Sequence, residues 1–498
     1  MTHPAHPYAI PATPSEHPNW GQPRPARTPL AWLVVFLGVG LVALINHTSL
    51  FVQPAPVTPE QGRAIRPDEE QVTRAIVSLT GAFPAGPDSD EADRVLRMLY
   101  ASARPDAGAP DRWAQLRSAM LAARAPEPAR HTLRDLLRPA AQAPARAADA
   151  AGDQDTAAYL ADAADVAAVL NSGSAADVPP ERASALIERH GVNARWLLSA
   201  GRPIDAGSEL GALSRRGPLV LAVLVPLGLL LALAALSGVG VLIAWLVRMS
   251  SPRRAPAAIG HAPVPPGAER IGPRIAAVFV AGFLAVMALG AVGVIPPASL
   301  GHTVAAHFAL LLALALTIAL TGPTGSGAAL GLTAGRGLTA EVGAGILWWL
   351  GTLPLLLVAM LVTFGLLLVS EYLWPSSGPP ANPVADLIFS ASPLELALLL
   401  LLASVWAPVT EELVFRGGVL GSLRRPLGVL PAVALSAVCF ALMHSYALPL
   451  LLPVLTLGAS MGVLRARRGS LIGCVTMHAV HNSAIMGSLI ALRLALDL

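Results

Sequence analysis

From Leu30 to Leu492 long apolar runs alternate with short polar breaks, and one break is far longer than the rest. A helix needs roughly 20 mostly apolar residues to cross a bilayer. Nine runs approach or meet that length: Leu30–Val52, Leu219–Val247, Ile275–Ile295, Val304–Leu320, Val342–Ser370, Leu394–Pro408 and onward, Leu427–Met443, Leu448–Leu464 and Leu471–Leu492. Val342–Ser370 is long enough to tilt or to begin along the interface. The pattern predicts an all-α fold, a polytopic transmembrane bundle of 8–9 spans. The long break, Gln53–Gly217, has apolar residues at helical spacing in Glu91–Ser102, Arg112–Arg124 and Ala157–Leu170. Pro and Gly interrupt it at Pro84–Pro87, Pro105–Pro110 and Pro179–Pro180. It reads as a small helical extracytoplasmic domain.

The expected order is therefore a disordered cytoplasmic tail (1–29), a first transmembrane helix (30–52), the helical insert (53–217), and a second transmembrane helix (218–247). A Pro/Gly-rich linker (248–274) and a transmembrane domain (275–498) follow. The first run has the basic flank of a signal peptide. No small-x-small cleavage site follows it directly and a polar segment precedes it, so it reads as an uncleaved anchor.

Composition agrees with this layout: 54% of the 498 residues are hydrophobic and 13% charged, which excludes an ordinary soluble domain. The formal net charge is only +3, and every one of the 34 basic residues is Arg. Nothing in that balance calls for nucleic acid; the partners it implies are the lipid bilayer and a substrate met there. With the N-terminus inside, the short inside segments carry Arg24, Arg27, Arg248, Arg253, Arg254, Arg270, Arg274, Arg336, Arg416, Arg424, Arg425, Arg465, Arg467 and Arg468, and the short outside loops carry almost none. This predicts a multi-pass protein of the plasma or inner membrane with a cytoplasmic N-terminus. Cys439 and Cys474 lie in apolar runs and offer neither a disulfide framework nor metal-ligand spacing.

The candidate chemistry lies in the last three polar clusters. A charge in the bilayer costs roughly 2.5–3.5 kcal/mol on insertion scales, so it is kept when it pairs, lines a wet cavity or reacts. Ser392 and Glu395 form a capping-box pattern that starts a helix, and Pro408 is expected to kink it just before Glu411 and Glu412. Glu412 and Arg416 are four apart and share a face, which suggests an orienting ion pair and leaves Glu411 as the reactive carboxylate. Phe440 and His444 share a face on the next run, and His478 and Asn482 on the last, with His481 near enough to join them. Each cluster alone has a bland reading: a solvated helix end, or an interfacial or core histidine. One Glu and two His either activate water directly or hold a divalent metal such as zinc. The H-E-x-x-H pattern of soluble zinc proteases is absent.

In order, EELVFR (Glu411–Arg416), FALMH (Phe440–His444) and HAVHN (His478–Asn482) match EExxxR, FxxxH and HxxxN. The region around them, 341–492, resembles the CPBP (Abi) family of intramembrane endopeptidases, which groups type 2 CAAX prenyl endopeptidases with bacteriocin-processing and bacteriocin-immunity proteins. The resemblance implies Glu411 as the base that activates water, with His444 assisting. It implies His478 and Asn482 at the carbonyl and oxyanion, and Glu412 and Arg416 as the supporting pair. It fits both a metal site at Glu411, His444 and His478 and a metal-free glutamate route. Its substrate would be a membrane-associated protein or peptide. The alternative is a non-catalytic membrane protein of the same fold, in an immunity, scaffold or regulatory role. A secondary transporter would show internal repeats, and none is visible.

Overall fold

The structure is a computed structural model that describes residues 29–46, 73–75, 77–78, 112–124, 127–143, 153–250, 267–291, 300–321, 326–373, 388, 391–444, 446 and 448–496. Residues 1–28 of the expected tail, Glu91–Ser102, the breaks at Pro84–Pro87 and Pro105–Pro110, and residues 251–266 of the linker lie outside the described residues. All regular structure among the described residues is helical. In chain order the main helices are α1 (Pro29–Asn46), α2 (Arg112–Leu121), α3 (Glu127–Gln142), α4 (Gln154–Ser172), α5 (Pro180–Leu198), α6 (Glu209–Arg215), α7 (Gly217–Ser250) and α8 (Ala268–Ala291). There follow α9 (Leu300–Thr321), α10 (Ser326–Leu330), α11 (Leu338–Leu373), α12 (Pro393–Leu427), α13 (Val429–Leu442), α14 (Leu451–Arg468) and α15 (Ile472–Leu496).

Each of the nine apolar runs coincides with a helix, but they are not equal. Among the described residues six stretches, Glu209–Ala244 and those within α8, α11, α12, α14 and α15, are long and apolar enough to cross a membrane; Pro29–Ile45, Ala309–Leu320 and Val429–Leu442 are shorter apolar helices. The run Val342–Ser370 is part of one 36-residue helix that continues through Pro354. α8 begins at Ala268, so the last residues of the expected linker are already helical.

In the insert, α2 to α6 enclose a core of their own that includes Trp113, Leu116, Leu170, Leu186 and Trp196. Asp153 caps α4 by accepting the Thr156 N–H, and Gly173 ends it at φ 71°, a left-handed value that suits glycine. Fully buried Asp162 on α4 ties α5 down. Its Oδ1 accepts from Arg182 Nη2 at 2.8 Å and Arg189 Nη2 at 2.7 Å. Its Oδ2 accepts from Arg189 Nε at 2.7 Å and pairs with His190 Nε2 at 3.0 Å.

In the bundle, α8 packs on α12, α13 on α14, and α11 on α7, α14 and α15. Small residues let backbones approach, which is what drives helix association where lipid offers no hydrophobic gain. A Cβ at Gly418 would sit 3.0 Å from Gly272 O, and one at Gly462 would sit 3.0 Å from Val433 Cγ1. The start of α11 is pinned to the end of α14 by a two-point pair: Arg468 Nη2 lies 2.8 Å from Glu341 Oε1 and Arg468 Nε 3.0 Å from Oε2. Cys439 and Cys474 are buried free thiols.

Candidate active site

α12 starts as the sequence predicts: Ser392 and Glu395 form the capping box. The expected kink at Pro408 takes the form of a wide π-turn, Leu402–Trp406, just ahead of it. Proline has no N–H and its ring collides with the carbonyl four residues back, so a widened turn relieves both problems. A second π-turn, Leu413–Val419, follows Glu412. Glu411 and Glu412 sit on the short α-helical piece between the two, near the middle of the 35-residue α12 and not at its end as the arginine pattern suggests.

Glu412 and Arg416 are both fully buried and pair at 2.8 Å. Further hydrogen bonds offset part of the desolvation of such a pair, although Glu412 Oε2 and Arg416 Nε have no partner. Arg416 Nη2 donates to Gly458 O at 3.0 Å, and its guanidinium stands 4.3 Å from the centre of the Phe440 ring. Gly458 permits this: a Cβ there would lie 3.2 Å from Arg416 Nη2 and 3.1 Å from Phe440 Cδ1. Glu412 also has a partner that the sequence does not reveal. His478 Nδ1 lies 2.9 Å from Glu412 Oε1. A carboxylate beside an arginine accepts, so Nδ1 carries the proton and His478 Nε2 keeps its lone pair.

That Nε2 faces Glu411 Oε2 across 3.9 Å, too far for a direct hydrogen bond. Glu411 Oε2 is buried and has no hydrogen-bond partner. Leaving a buried acceptor unmatched costs about 1–3 kcal/mol, more when it is charged. Glu412 Oε2 and Arg416 Nε are also buried without a hydrogen bond, but Glu411 Oε2 is the open atom that faces an imidazole nitrogen.

His444 reaches the same level by a route the sequence does not show. The run Leu427–Met443 is expected to span, with His444 toward its far end. Instead α13 has only 14 residues, about 21 Å at 1.5 Å per residue. It folds back on α12 at Gly428, whose φ of 79° favours glycine. His444 comes as many residues after Gly428 as Glu412 comes before it, so the hairpin sets them side by side. Ser436 Oγ donates to Phe415 O across this hairpin at 2.8 Å. His444 Nδ1 donates to Phe440 O at 2.8 Å, again leaving Nε2 as the lone-pair nitrogen. Phe440 is the common wall: its ring centre is 4.8 Å from that of His444, 5.8 Å from that of His478 and 5.4 Å from that of Phe415. Tyr446, not singled out from the sequence, stacks on His444 at 5.8 Å.

Asn482 is tied to α12 by a backbone carbonyl. Its Nδ2 donates to Ala403 O at 2.8 Å, a carbonyl in the first π-turn, so one of its two N–H groups fastens α15 to α12. His481 is half-buried and makes no hydrogen bond to a described residue. For a metal, Glu411 Oε2 and His478 Nε2 supply two facing donors, but among the described residues no three His, Cys, Asp or Glu side chains are gathered as a ligand set.

Residues 393–484, which hold all three clusters, match the family model of the Rce1-like type II CAAX prenyl endopeptidases. The chain carries an Rce1-like domain. Residues 1–392, with the insert and α1 to α11, lie outside the match. No curated protein and no solved structure matches the chain. The match thus runs from the start of α12 into α15, and α11 packs against α14 and α15 beside it. Gly458 is the site residue that sequence reasoning passes over. Its signal is present: Gly458 and Gly462 are four apart in an apolar run, a small-residue helix-packing pattern.

Proposed function

We propose that the Rce1-like domain is an intramembrane endopeptidase in which Glu411 activates water against a peptide carbonyl. The observation that carries this reading is the partnerless Glu411 Oε2 facing an imidazole whose other nitrogen is held by Glu412. The 3.9 Å gap fits one bridging oxygen. A water there gives a proton to Glu411 Oε2 as its oxygen attacks the carbonyl carbon. His444 Nε2 is a second lone pair on the same wall and assists as base. The bond from His478 Nδ1–H to Glu412 fixes that ring so that its Nε2 lone pair accepts the water's other hydrogen and orients the attack. When the C–N bond breaks, the proton on Glu411 passes to the departing amine. Asn482 is a positioning residue in this scheme, since it fixes the π-turn that precedes the acids. Every step runs on side chains of the chain itself.

The substrate is a protein or peptide cut at the membrane, and the family description makes a prenylated CAAX peptide one candidate. The arginine pattern supports a cytoplasmic N-terminus and an insert on the other side. A cysteine in place of the exposed Ala176 should then react with an impermeant maleimide on intact cells; reaction only after permeabilisation reverses the topology. For the activity, the new N-termini in membranes of cells expressing the parent are compared with those expressing Glu411→Gln or His444→Gln. Termini present with the parent should vanish with Glu411→Gln at equal protein level, a loss of about 10²–10⁴-fold in rate for a missing base. Identical terminus profiles in all three would remove the protease reading.

A further inference from the structure

At one end of the bundle α8 begins, α12 and α14 finish, and arginines accumulate. Ser422 Oγ donates to Ala268 O at 3.0 Å and Arg468 bonds Glu341, which places these ends together. The acids described there face other arginines: Glu341 is 2.8 Å from Arg468 and Glu269 is 3.5 Å from Arg425, although Glu269 Oε2 accepts no hydrogen bond. Arg465 is different. It is only 3% exposed, donates no hydrogen bond to a described residue, and its Nε is buried without a partner. Its guanidinium lies against Gly331, where a Cβ would come within 2.5 Å of Nη2 and 2.6 Å of Cζ, and Gly331 also has a φ of 87°. Gly331 is fixed in turn, since its carbonyl accepts the Leu471 N–H at 2.9 Å. Arg424, buried near the end of α12, is close enough to repel Arg465.

A guanidinium buried beside a second one, with no carboxylate or carbonyl on it, is among the costliest arrangements a fold can hold. Its planar fork is shaped for the oxygens of a phosphate. Arg465 lies within one turn of the end of α14, the depth at which a membrane helix meets the headgroups. We propose that Arg465, with Arg424 beside it, is an anion site for a phosphate oxyanion, supplied by a phospholipid headgroup or by free phosphate. The bound anion ties the ends of α12 and α14 to the Gly331 turn.

The test uses the full-length protein in phosphate-free maltoside micelles and buffer, with phosphatidylglycerol or inorganic phosphate added. The readouts are the thermal unfolding midpoint and native mass spectrometry. Phosphatidylglycerol should raise the parent's midpoint by a few degrees and be retained at one per chain. Inorganic phosphate giving the same rise assigns the site to free phosphate; a rise with lipid alone assigns it to the headgroup. Arg465→Met should lose the rise and the retained lipid while unfolding no earlier than the parent in bare micelles, because the lone charge is gone. Arg425→Gln, on an exposed residue, should keep both. The proposal fails if Arg465→Met gains as much as the parent, or if neither addition moves the parent.

Discussion

Two buried clusters in this protein use the same parts. In the insert, Asp162 gathers Arg182, Arg189 and His190; in the bundle, Glu412 gathers Arg416 and His478. Both carboxylates are fully buried. They differ in saturation. Each oxygen of Asp162 takes two donors, so nothing is left for a ligand. Glu412 accepts both of its donors on Oε1, its Oε2 has none, and Glu411 next to it has a second open oxygen. Residue types alone would rank the two clusters equally. Counting the satisfied oxygens of each carboxylate separates a structural tie from a site, even though His190 Nδ1 in the insert is also buried without a partner.

The sharpest blow to this contrast is a pair of variants at Glu412. Glu412→Gln should lower hydrolysis by about 10²–10⁴-fold, because His478 loses the group that holds its tautomer. It should also destabilise the bundle by about 3–5 kcal/mol, because Arg416 is left buried and unmatched. Glu412→Gln combined with Arg416→Met should recover most of the stability and none of the rate. Recovery of the rate would make Glu412 a purely structural residue and erase the difference from Asp162.

Next in size, Asp162→Ala should destabilise the insert by about 3–5 kcal/mol, seen as early loss of α4 and α5 in hydrogen exchange on the intact protein. Hydrolysis per folded molecule should stay within a factor of two. A loss under about 1 kcal/mol would mean that four donors on one carboxylate do not anchor the domain.

Gly458→Ala is the intermediate case. A Cβ would press on Arg416 Nη2 and Phe440 Cδ1, and overpacking of this kind costs about 1–3 kcal/mol. Activity should fall with it, since Phe440 is the wall that His444 and His478 share. Gly343, with open space around its Cβ position, is the control: Ala there should leave thermal unfolding and hydrolysis unchanged.

The smallest effect is one of pH. Burial pushes the His190 imidazole below its ordinary value of 6.5, against the pull of Asp162. The unfolded chain therefore takes up the His190 proton first as pH falls. Stability of the insert is complete above about 6.5 and declines below it, until the folded imidazole charges as well. At Asp162 burial pushes upward, but the hydrogen bonds of His190 and Arg189 outweigh it and hold the carboxyl below 3.8, so its own contribution is lost only in stronger acid. Proteolytic resistance of the insert in the intact protein, followed from neutral pH down through 6.5, reads this out, and His190→Gln should flatten the profile.

The apolar runs are legible because lipid imposes one rule on every span, and the Glu412–Arg416 pair because four residues along a helix share a face. The bond from His478 to Glu412 joins positions 66 apart and follows from no local spacing. The same holds for Gly458 O on Arg416 and for Asn482 on Ala403, a carbonyl made available by a π-turn. The depth of His444 is misleading in the sequence because Leu442 and Met443 carry the apolar run to the very end of α13 and past it, so hydropathy marks no boundary there.

The shortness of α13 also bears on how the protein is made. About 21 Å of helix does not reach across a hydrocarbon layer of roughly 30 Å, and α12 carries two acids and an arginine through it. Neither is a good client for insertion alone. Delivered together as a hairpin closed at Gly428, they offer the translocon one apolar unit, which is completed when α14 brings the Gly458 carbonyl to Arg416. Lengthening the Gly428 turn should therefore show up first as poor biogenesis, with chains captured by membrane quality control before any substrate is met.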